Sequence, residues 1–377
     1  MRERLANTMF KYCIPKVAGR GAGLGNELIP WAKAFIAGSE LGIPFSQPAW
    51  GLNRLRYWEY FGTSRFDWAG HYLIGKSLPS FTFTEEDYFA TGEKDFGRAI
   101  RVFADANDLK SKPAYVLWVE GMWGGYYAIE KAKPFISSVL YGAKNSVANL
   151  WDTKQHLRPD TLVVAVHVRL GDFNAATDTS DYRGKFNVSI PMSWYVSVSR
   201  ALRKAFGESV QFVLLSNGKH LELRDYIAEF EPVTTSHQNY TVCSDLLTMA
   251  NADLLICSVS SYSMWAAFLS EKPYFWYEPN LQSHERCFSL WGHEARQAAV
   301  NGVTASNIAH LATTVLIPEN EATLSRGIPI SENADVPVEI LKYLDAKLTL
   351  KATRSDLIQY GVVPKNLKYA SALKLVN

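Results

Sequence analysis

From about residue 160 onward, short apolar runs alternate with longer segments in which apolar residues recur with the period of a helix. The apolar runs predict β-strands at 161–168, 211–215, 253–257 and 273–277. The longer segments predict helices at 191–206, 220–230, 245–251 and 262–269. Such alternation is typical of a parallel sheet wrapped by helices. We therefore predict an α/β nucleotide-binding domain whose ligand lies outside the carboxyl ends of the strands.

The first 150 or so residues have a different pattern. A glycine-rich turn at 19–26 precedes a predicted helix at 27–41, and the sequence that follows is rich in tryptophan and tyrosine. The stretch 144–159 is polar and ends in proline, as interdomain boundaries often do. We predict one domain over 1–150 and a second over 151–320, followed by a tail, 321–377, that the pattern assigns to neither.

Composition excludes several classes of function. The 377 residues carry 39 Lys and Arg against 37 Asp and Glu, so the net charge of +2 gives no general attraction to nucleic acid or anionic membrane. Any anion site must therefore be local. The amino terminus lacks the apolar core of a signal peptide, and no apolar run has the length of a membrane span. We expect a cytoplasmic protein without integral membrane contact, or a chain trimmed of its anchor.

Metal-binding patterns are absent from the sequence. The four cysteines form no Cys-x-x-Cys pair and have no histidine at zinc spacing, and no Asp-x-Asp pair occurs. We expect neither a metal site nor a disulfide framework.

The segment 163–172 is the strongest candidate for a binding site. It is an apolar strand that ends at an arginine and then breaks at Gly171. Side chains two apart in a strand share a face, so His167 and Arg169 should point toward one cleft. Because arginine presents a fixed fork of donors, Arg169 suits a phosphate group and can neutralise it without a divalent metal.

A carboxylate and a group of serines form a second candidate. Asp245 precedes the strand 253–257, which ends in a serine-rich segment that contains Ser260 and Ser261. Hydroxyls and free amides at a helix start suit a phosphate. The Asp245 carboxylate suits guanine, whose N1 and N2 are both donors. The alternative is that Asp245 caps its own helix and the serines cap the next one.

The glycine-rich turn is the third candidate. Its glycines, with Gly23 and Gly25 followed by Asn26, let the backbone approach a diphosphate, and the helix start supplies amide donors. A turn that only permits tight helix packing explains the same glycines.

These segments resemble motifs of the fucosyltransferase superfamily that contains the α1,2-, α1,6- and protein O-fucosyltransferases. The segment 167–172 resembles its His-x-Arg-Arg-Gly-Asp motif, with Leu170 in place of the second arginine. The turn at 23–27 resembles Gly-x-Gly-Asn-Gln, with glutamate as its last residue. The segment 245–267 resembles the third motif, and 212–218 the middle one, in which Asn217 replaces the usual aspartate. In their overall residue pattern, the motifs are most similar to those of the α1,2-fucosyltransferases.

The resemblance implies a GT-B fold, in which two Rossmann-like domains face each other across a cleft. The residues 1–150 would form the acceptor side and 151–320 the nucleotide-sugar side. The implied reaction is inverting, metal-independent transfer of fucose from GDP-fucose, as donor substrate, to a hydroxyl of an oligosaccharide or glycoconjugate. No cofactor is implied.

The resemblance also implies roles for individual residues. Arg169 would act on the diphosphate in catalysis, with Asp172 as its partner or as the general base. The implied donor-binding residues are Gly23, Gly25, Asn26, His167, Asn217, Asp245, Ser260 and Ser261. Within that set, Asp245 and His167 would bind the base, and Ser260 or Ser261 would join Arg169 at the phosphates.

The general base and the acceptor cleft stay open at this stage. Candidates for the base are Asp172, Asp178, Asp181, Glu27 and Glu120. The segment 121–131 resembles another stretch of the superfamily loosely, and its aromatic residues Trp123, Tyr126 and Tyr127 can stack on sugar rings. Two alternatives are a transferase that uses another nucleotide sugar and a catalytically inactive protein that binds glycans.

Overall fold

The structure is a computed structural model, and it describes residues 10–16, 23–93, 95–121, 127–174, 188–270, 272–280, 282–284, 287–289, 314–316 and 327–359. The chain divides into two compact units, and the division falls between Lys144 and Asn145.

The first unit contains a small parallel sheet. Its three strands are β1 (Lys11–Lys16), β2 (Ser80–Phe83) and β3 (Tyr115–Glu120), in the order β1-β3-β2. The helices are α1 (Leu24–Leu41), α2 (Asp67–Ser77), α3 (Glu85–Ala90), α4 (Phe96–Ala106) and α5 (Lys133–Tyr141). Helix α1 is the centre of the unit, because most of its residues are buried and it ends at Gly42, whose left-handed φ of 66° suits glycine.

The second unit contains a six-stranded sheet in which all strand pairs are parallel. Its strands are β4 (Leu162–Val168), β5 (Val210–Ser216), β6 (Val233–Thr234), β7 (Leu254–Ile256), β8 (Tyr274–Tyr277) and, by its place in the chain, β12 (Gly327–Ile330). The strand order is β12-β8-β7-β4-β5-β6. If β4, β5, β6, β7, β8 and β12 are renumbered 1 to 6 and the sheet is read from the β6 side, the order is 3-2-1-4-5-6. This is the strand order of the Rossmann fold.

The helices of this unit precede, connect or follow these strands. They are α6 (Ser146–Gln155), α7 (Met192–Phe206), α8 (His220–Phe230), α9 (Thr241–Asn251), α10 (Ser261–Leu269) and α11 (Val338–Gln359). The remaining strands, β9 (Gln282–His284), β10 (Cys287–Ser289) and β11 (Thr314–Leu316), form a separate antiparallel sheet. Helix α11 belongs to the second unit, as does β12, so two elements of the tail are assigned.

The strand order locates a ligand crevice. The chain builds the sheet outward from β4 to β6 and then returns to place β7 on the other side of β4. Connections on opposite faces leave a crevice at such a switch point, outside the carboxyl ends of the two central strands. The crevice is therefore expected beyond Val168 of β4 and Ile256 of β7.

The opposite edge of this sheet, where the strands begin, is closed by side chains. Asp253 accepts a hydrogen bond from the backbone N–H of Val163 (2.9 Å) and forms an ion pair with Lys351 of α11. The Lys351 ammonium also donates to the carbonyl of Thr161 (2.8 Å). Gln211, the second residue of β5, accepts from the backbone N–H of Arg158 (2.6 Å) and from the Thr161 hydroxyl (2.9 Å).

The predicted strands and helices of the second unit are confirmed, with one difference that affects the site. Helix α9 begins at Thr241, four residues before its predicted start. In addition, none of the helices in the described ranges is long and apolar enough to cross a membrane.

Candidate functional site

His167 lies near the end of β4 and is almost completely buried, with 4% of its surface exposed. Its Nδ1 lies 2.6 Å from the Ser263 hydroxyl and 2.9 Å from the Ser258 hydroxyl. Burial, with a smaller contribution from the positive charge of Arg169, lowers the pKa of His167 to about 3. The ring is therefore neutral near pH 7, and it contributes hydrogen bonds to the site but no charge.

The serines that follow β7 form one connected group of hydroxyls. Ser258 donates its backbone N–H to the Ser263 hydroxyl (3.0 Å), and its own hydroxyl donates to Ser260 (3.3 Å). The Ser258 and Ser263 hydroxyls also lie 3.2 Å from each other, so His167 Nδ1 is joined to the whole group.

Ser260 and Ser261 begin the next helix. Ser260 is the N-cap of α10, and its hydroxyl accepts from the backbone N–H of Ser263 (3.2 Å). Ser261 is the first residue of the helix and is half-buried. The capping interpretation of the serines is thus confirmed for Ser260, and it is compatible with a phosphate at the same helix start.

Arg169 follows β4 directly and keeps an unused donor. Its Nη2 lies 2.7 Å from Asp172 Oδ1, and its guanidinium lies 5.4 Å from the centre of the Phe173 ring. The Arg169 Nε is buried, and within the described ranges it has no hydrogen-bond partner. A buried N–H without an acceptor is costly, so this position suits an anionic ligand oxygen.

The turn after Arg169 is held by Asn217. The Asn217 Oδ1 accepts from the backbone N–H of Leu170 (2.9 Å), and its Nδ2 lies 3.4 Å from Asp172 Oδ1. Gly171 has a φ of 55°, and a Cβ at this position would overlap Asn217 Nδ2. Leu170 and Asn217, where the chain departs from two superfamily motifs, are therefore in direct contact.

Asp245 lies in the second turn of α9 and is half-buried. Burial raises its pKa to about 6, although hydrogen bonds with the side chains of Thr235 and Thr241 act against this effect. The N-cap position of α9 is Tyr240, so the interpretation of Asp245 as a helix cap is wrong. Its Oδ1 is buried without a partner in the part of the chain that the structure describes, so the carboxylate can accept a further hydrogen bond.

The structure brings some of the expected residues together and separates others. Arg169, Asp172 and Asn217 form one cluster through the contacts above. His167 joins the serine hydroxyls, which include Ser260. Asp245 has other partners, Thr235 and Thr241, so no described contact joins it to His167.

Three expected donor-binding residues belong to the first unit. Gly23 is the N-cap position of α1, and a Cβ there would meet nothing within 4 Å. Gly25 and Asn26 lie within the first turn of α1, because the helix begins at Leu24 instead of the predicted residue 27. The glycines at 19–22 lie outside the described residues.

Glu27 is buried in the first unit, with 1% of its surface exposed. Its Oε1 accepts from the side-chain amide of Asn53 (3.1 Å), and its Oε2 has no partner among the described residues. Burial raises the pKa of Glu27 to about 8, and the Asn53 hydrogen bond opposes this. At pH 7 the Glu27 carboxyl group is therefore mostly protonated, and in that form it can donate a hydrogen bond.

Of the other candidate bases and aromatic residues, Glu120 forms an ion pair with Lys16. Tyr127 begins a short 3₁₀ helix. Four residues lie outside the described ones, namely Asp178, Asp181, Trp123 and Tyr126.

The sequence did not single out several residues that the structure places at the site. Ser258 and Ser263 lie in the serine-rich segment, but which hydroxyls meet His167 depends on where β7 ends and α10 begins. Thr235 and Thr241 flank a turn, and their hydrogen bonds to Asp245 required the earlier start of α9. Among the described residues, no cluster of three or more histidines, cysteines or carboxylates could hold a metal ion.

The chain is similar to proteins of known structure. No family model matches the chain, and no curated protein matches it either. A crystal structure of POFUT1 in complex with GDP-fucose is similar, at 13% sequence identity and a TM-score of 0.41, over 70% of this chain and 97% of that one.

Proposed function

We propose that the second unit binds GDP-fucose and that the protein is a fucosyltransferase. The observation that carries the proposal is the buried, unpartnered Nε of Arg169, which lies at the switch point of a Rossmann-ordered sheet. Such a crevice is where nucleotides bind in this fold, and a fork of arginine donors matches a diphosphate. The Ser260 helix start supports the same ligand.

The nucleobase is proposed to be guanine. Asp245 keeps one carboxylate oxygen without a partner, and in its ionised form it can accept from both guanine donors. Adenine presents a different edge with an acceptor at N1, which would face a carboxylate unfavourably. Asp245 therefore supports GDP over ADP as the carrier of the sugar.

The proposed reaction is a direct displacement at the anomeric carbon. A base removes the proton of the acceptor hydroxyl, the acceptor oxygen bonds to the anomeric carbon, and the bond to the β-phosphate oxygen breaks with inversion. GDP leaves with the electron pair, and Arg169 stabilises the charge that builds on its β-phosphate. Asp172, which is paired with Arg169, is proposed to orient the guanidinium, and no metal is required.

The acceptor is proposed to be a glycan hydroxyl, with the first unit as the acceptor side. The aromatic residues of this unit suit sugar rings.

Nucleotide binding and sugar transfer test the proposal directly. Calorimetry with GDP, UDP and ADP should show that GDP binds most tightly. GDP-fucose with a panel of glycans should release GDP and yield a fucosylated product, also in the presence of EDTA. A preference for UDP, or for GDP with a different sugar, would identify another glycosyltransferase. Glycan binding without any nucleotide binding would identify an inactive relative, and loss of activity in EDTA that Mn²⁺ restores would contradict the metal-free mechanism.

A further inference from the structure

Asn217, in the loop after β5, was expected to contact the donor. Its side chain instead contacts the turn that follows Arg169. Asn217 makes both of its described side-chain hydrogen bonds to this turn: its Oδ1 accepts from Leu170 N, and its Nδ2 donates to Asp172 Oδ1. The backbone N–H of Leu170 is a donor only, so the carbonyl oxygen of the amide must face it. The amide nitrogen is thereby fixed toward Asp172.

Asp172 transmits this contact to the guanidinium. Its Oδ1 accepts from both Asn217 and Arg169, at 3.4 Å and 2.7 Å. The Asp172 side chain is 65% exposed, so packing does not hold it in place. An exposed ion pair is weak by itself, because ordering two side chains opposes the attraction. The fixed amide therefore supplies the restraint that packing does not.

Two glycines leave the space that this contact needs. Gly171 adopts a left-handed conformation, and its missing side chain leaves the space that Asn217 Nδ2 occupies. On the other side, a Cβ on Gly218 would overlap the Leu170 side chain. The turn that contains Gly171 and the loop that contains Asn217 and Gly218 therefore pack closely, and each contributes a glycine to the contact.

We propose that Asn217 is a positioning residue, which acts through Asp172 to hold the Arg169 guanidinium toward the diphosphate. The inference rests on the proposed function for the identity of the ligand. It revises the role of Asn217, which was expected to contact the donor.

The substitution Asn217→Asp tests the inference with little change in shape. It keeps the acceptor for Leu170 N–H, but it sets a second carboxylate against Asp172. Displacement of a catalytic group by about 1 Å can cost roughly 100-fold in rate, so we expect kcat to fall by about tenfold or more. The KM for GDP-fucose should change less, because Arg169 acts mainly in the transition state.

A double-mutant cycle separates positioning from contact with the donor. In an Asp172→Asn background the two carboxylates no longer meet, so Asn217→Asp should cost at most about threefold, a clear departure from additivity. Additive effects would overturn the proposal. So would a crystal structure of Asn217→Asp with the guanidinium in its original position, or a structure with GDP in which Asn217 contacts the nucleotide.

Gln211→Glu is the matched control. Gln211 lies near the start of β5, whereas Asn217 directly follows the end of that strand. The side-chain oxygen of Gln211 likewise accepts a hydrogen bond from a backbone N–H of a neighbouring loop. The activity of the Gln211→Glu protein should equal that of the unchanged protein. If Asn217→Asp does not fold, Asn217→Ala removes both contacts without adding charge and should also lower kcat more than it changes KM.

Failure of the proposed function would look different. If the unchanged protein neither binds nucleotides nor transfers sugar, the donor assignment is wrong. The crystal structures of the variants still decide whether Asn217 positions Arg169.

Discussion

The two edges of the six-stranded sheet are built from similar residue types but are completed differently. At the edge where the strands begin, Asp253, Lys351 and Gln211 bond to backbone groups, and Asp253 also pairs with Lys351. At the edge where the strands end, Arg169 and Asp245 each keep a buried polar atom without a partner in the described part of the chain. Within the described residues, the polar groups named at the first edge have partners in the protein, whereas the second edge leaves hydrogen bonds to be made by something else.

This difference indicates how stability and binding are divided in the second unit. Buried polar groups in native proteins are nearly always hydrogen-bonded, so unpartnered ones mark a ligand position better than residue type does. The left-handed Gly171 is a local constraint at the same edge. Substitutions at the closed edge should therefore lower stability, and those at the open edge should lower binding or rate.

The largest effect is expected at Arg169. Arg169→Ala removes the proposed diphosphate clamp, and Arg169→Lys keeps a charge but loses the planar fork. Both should lower kcat by roughly 100-fold or more, as the loss of an oxyanion-stabilising donor does. Thermal melting should change little, because the Asp172 side chain that pairs with Arg169 is 65% exposed and such pairs contribute little to stability. Near-normal turnover of a folded Arg169→Ala protein would remove the basis of the mechanism.

The next largest effect is expected at Asp245. Its carboxylate is ionised well above pH 6 and protonated below it, so GDP affinity should weaken as the pH falls through about 6. His167 does not titrate in this range, because its pKa is about 3. Asp245→Asn should bind GDP with a loss of about 1.5–3 kcal/mol at pH 8, the range for hydrogen bonds to charged groups, and should lack this pH dependence. Calorimetry at intervals of about one pH unit, from about pH 5 to about pH 8, measures the GDP affinity and its pH dependence.

Ionisation of Asp245 should strengthen GDP binding but lower the stability of the folded protein. A carboxyl group whose pKa is raised by folding stabilises the folded state at low pH, and that contribution is lost as the pH rises through about 6. The unliganded Asp245→Asn protein should therefore melt at a higher temperature than the unchanged protein at pH 8. Equal GDP affinity in the two proteins would show that Asp245 does not bind the base.

The smallest effect is expected at the closed edge. Lys351→Met keeps the apolar stem but removes the bonds to Asp253 and to the Thr161 carbonyl, so unfolding free energy should fall by about 1–2 kcal/mol. GDP affinity should be unchanged. Lys347→Met, one turn earlier in the same helix, is the matched control and should change stability by less than about 0.5 kcal/mol. Denaturant unfolding measures the difference, and weaker GDP binding by Lys351→Met would break the division between the two edges.

Much of the second unit could be predicted from the sequence, because its strands and helices have clear periodicity. The predicted strand 161–168 is β4, and the helices at 192–206 and 220–230 differ from their predictions by at most one residue. Strand β6 has only two residues and β12 follows a long interval, so neither gives a periodic signal. Strand order is set by tertiary packing, which local patterns do not encode.

The site was predictable in its residue types but not in its partners. Motif position identified Arg169, His167 and Ser260. The contact of Asn217 with Asp172 depends on two loops from neighbouring strands, and a sequence pattern does not show which loops meet. For Asp245 the error was a helix start placed four residues late, because Thr241 begins α9 after the left-handed Tyr240.

The bond between Lys351 and the Thr161 carbonyl spans 190 positions of the chain, and it has a consequence for synthesis. Proteins emerge from the ribosome amino terminus first, so a nascent chain can pair β4 with β5 and β7 long before α11 exists. Until then the Thr161 carbonyl lacks its ammonium donor and the Asp253 carboxylate lacks its counter-ion. Contacts between residues that are so far apart in the sequence also form slowly. The edge at which β4, β5 and β7 end can thus form early in translation, whereas the opposite edge is completed only once α11 has been made.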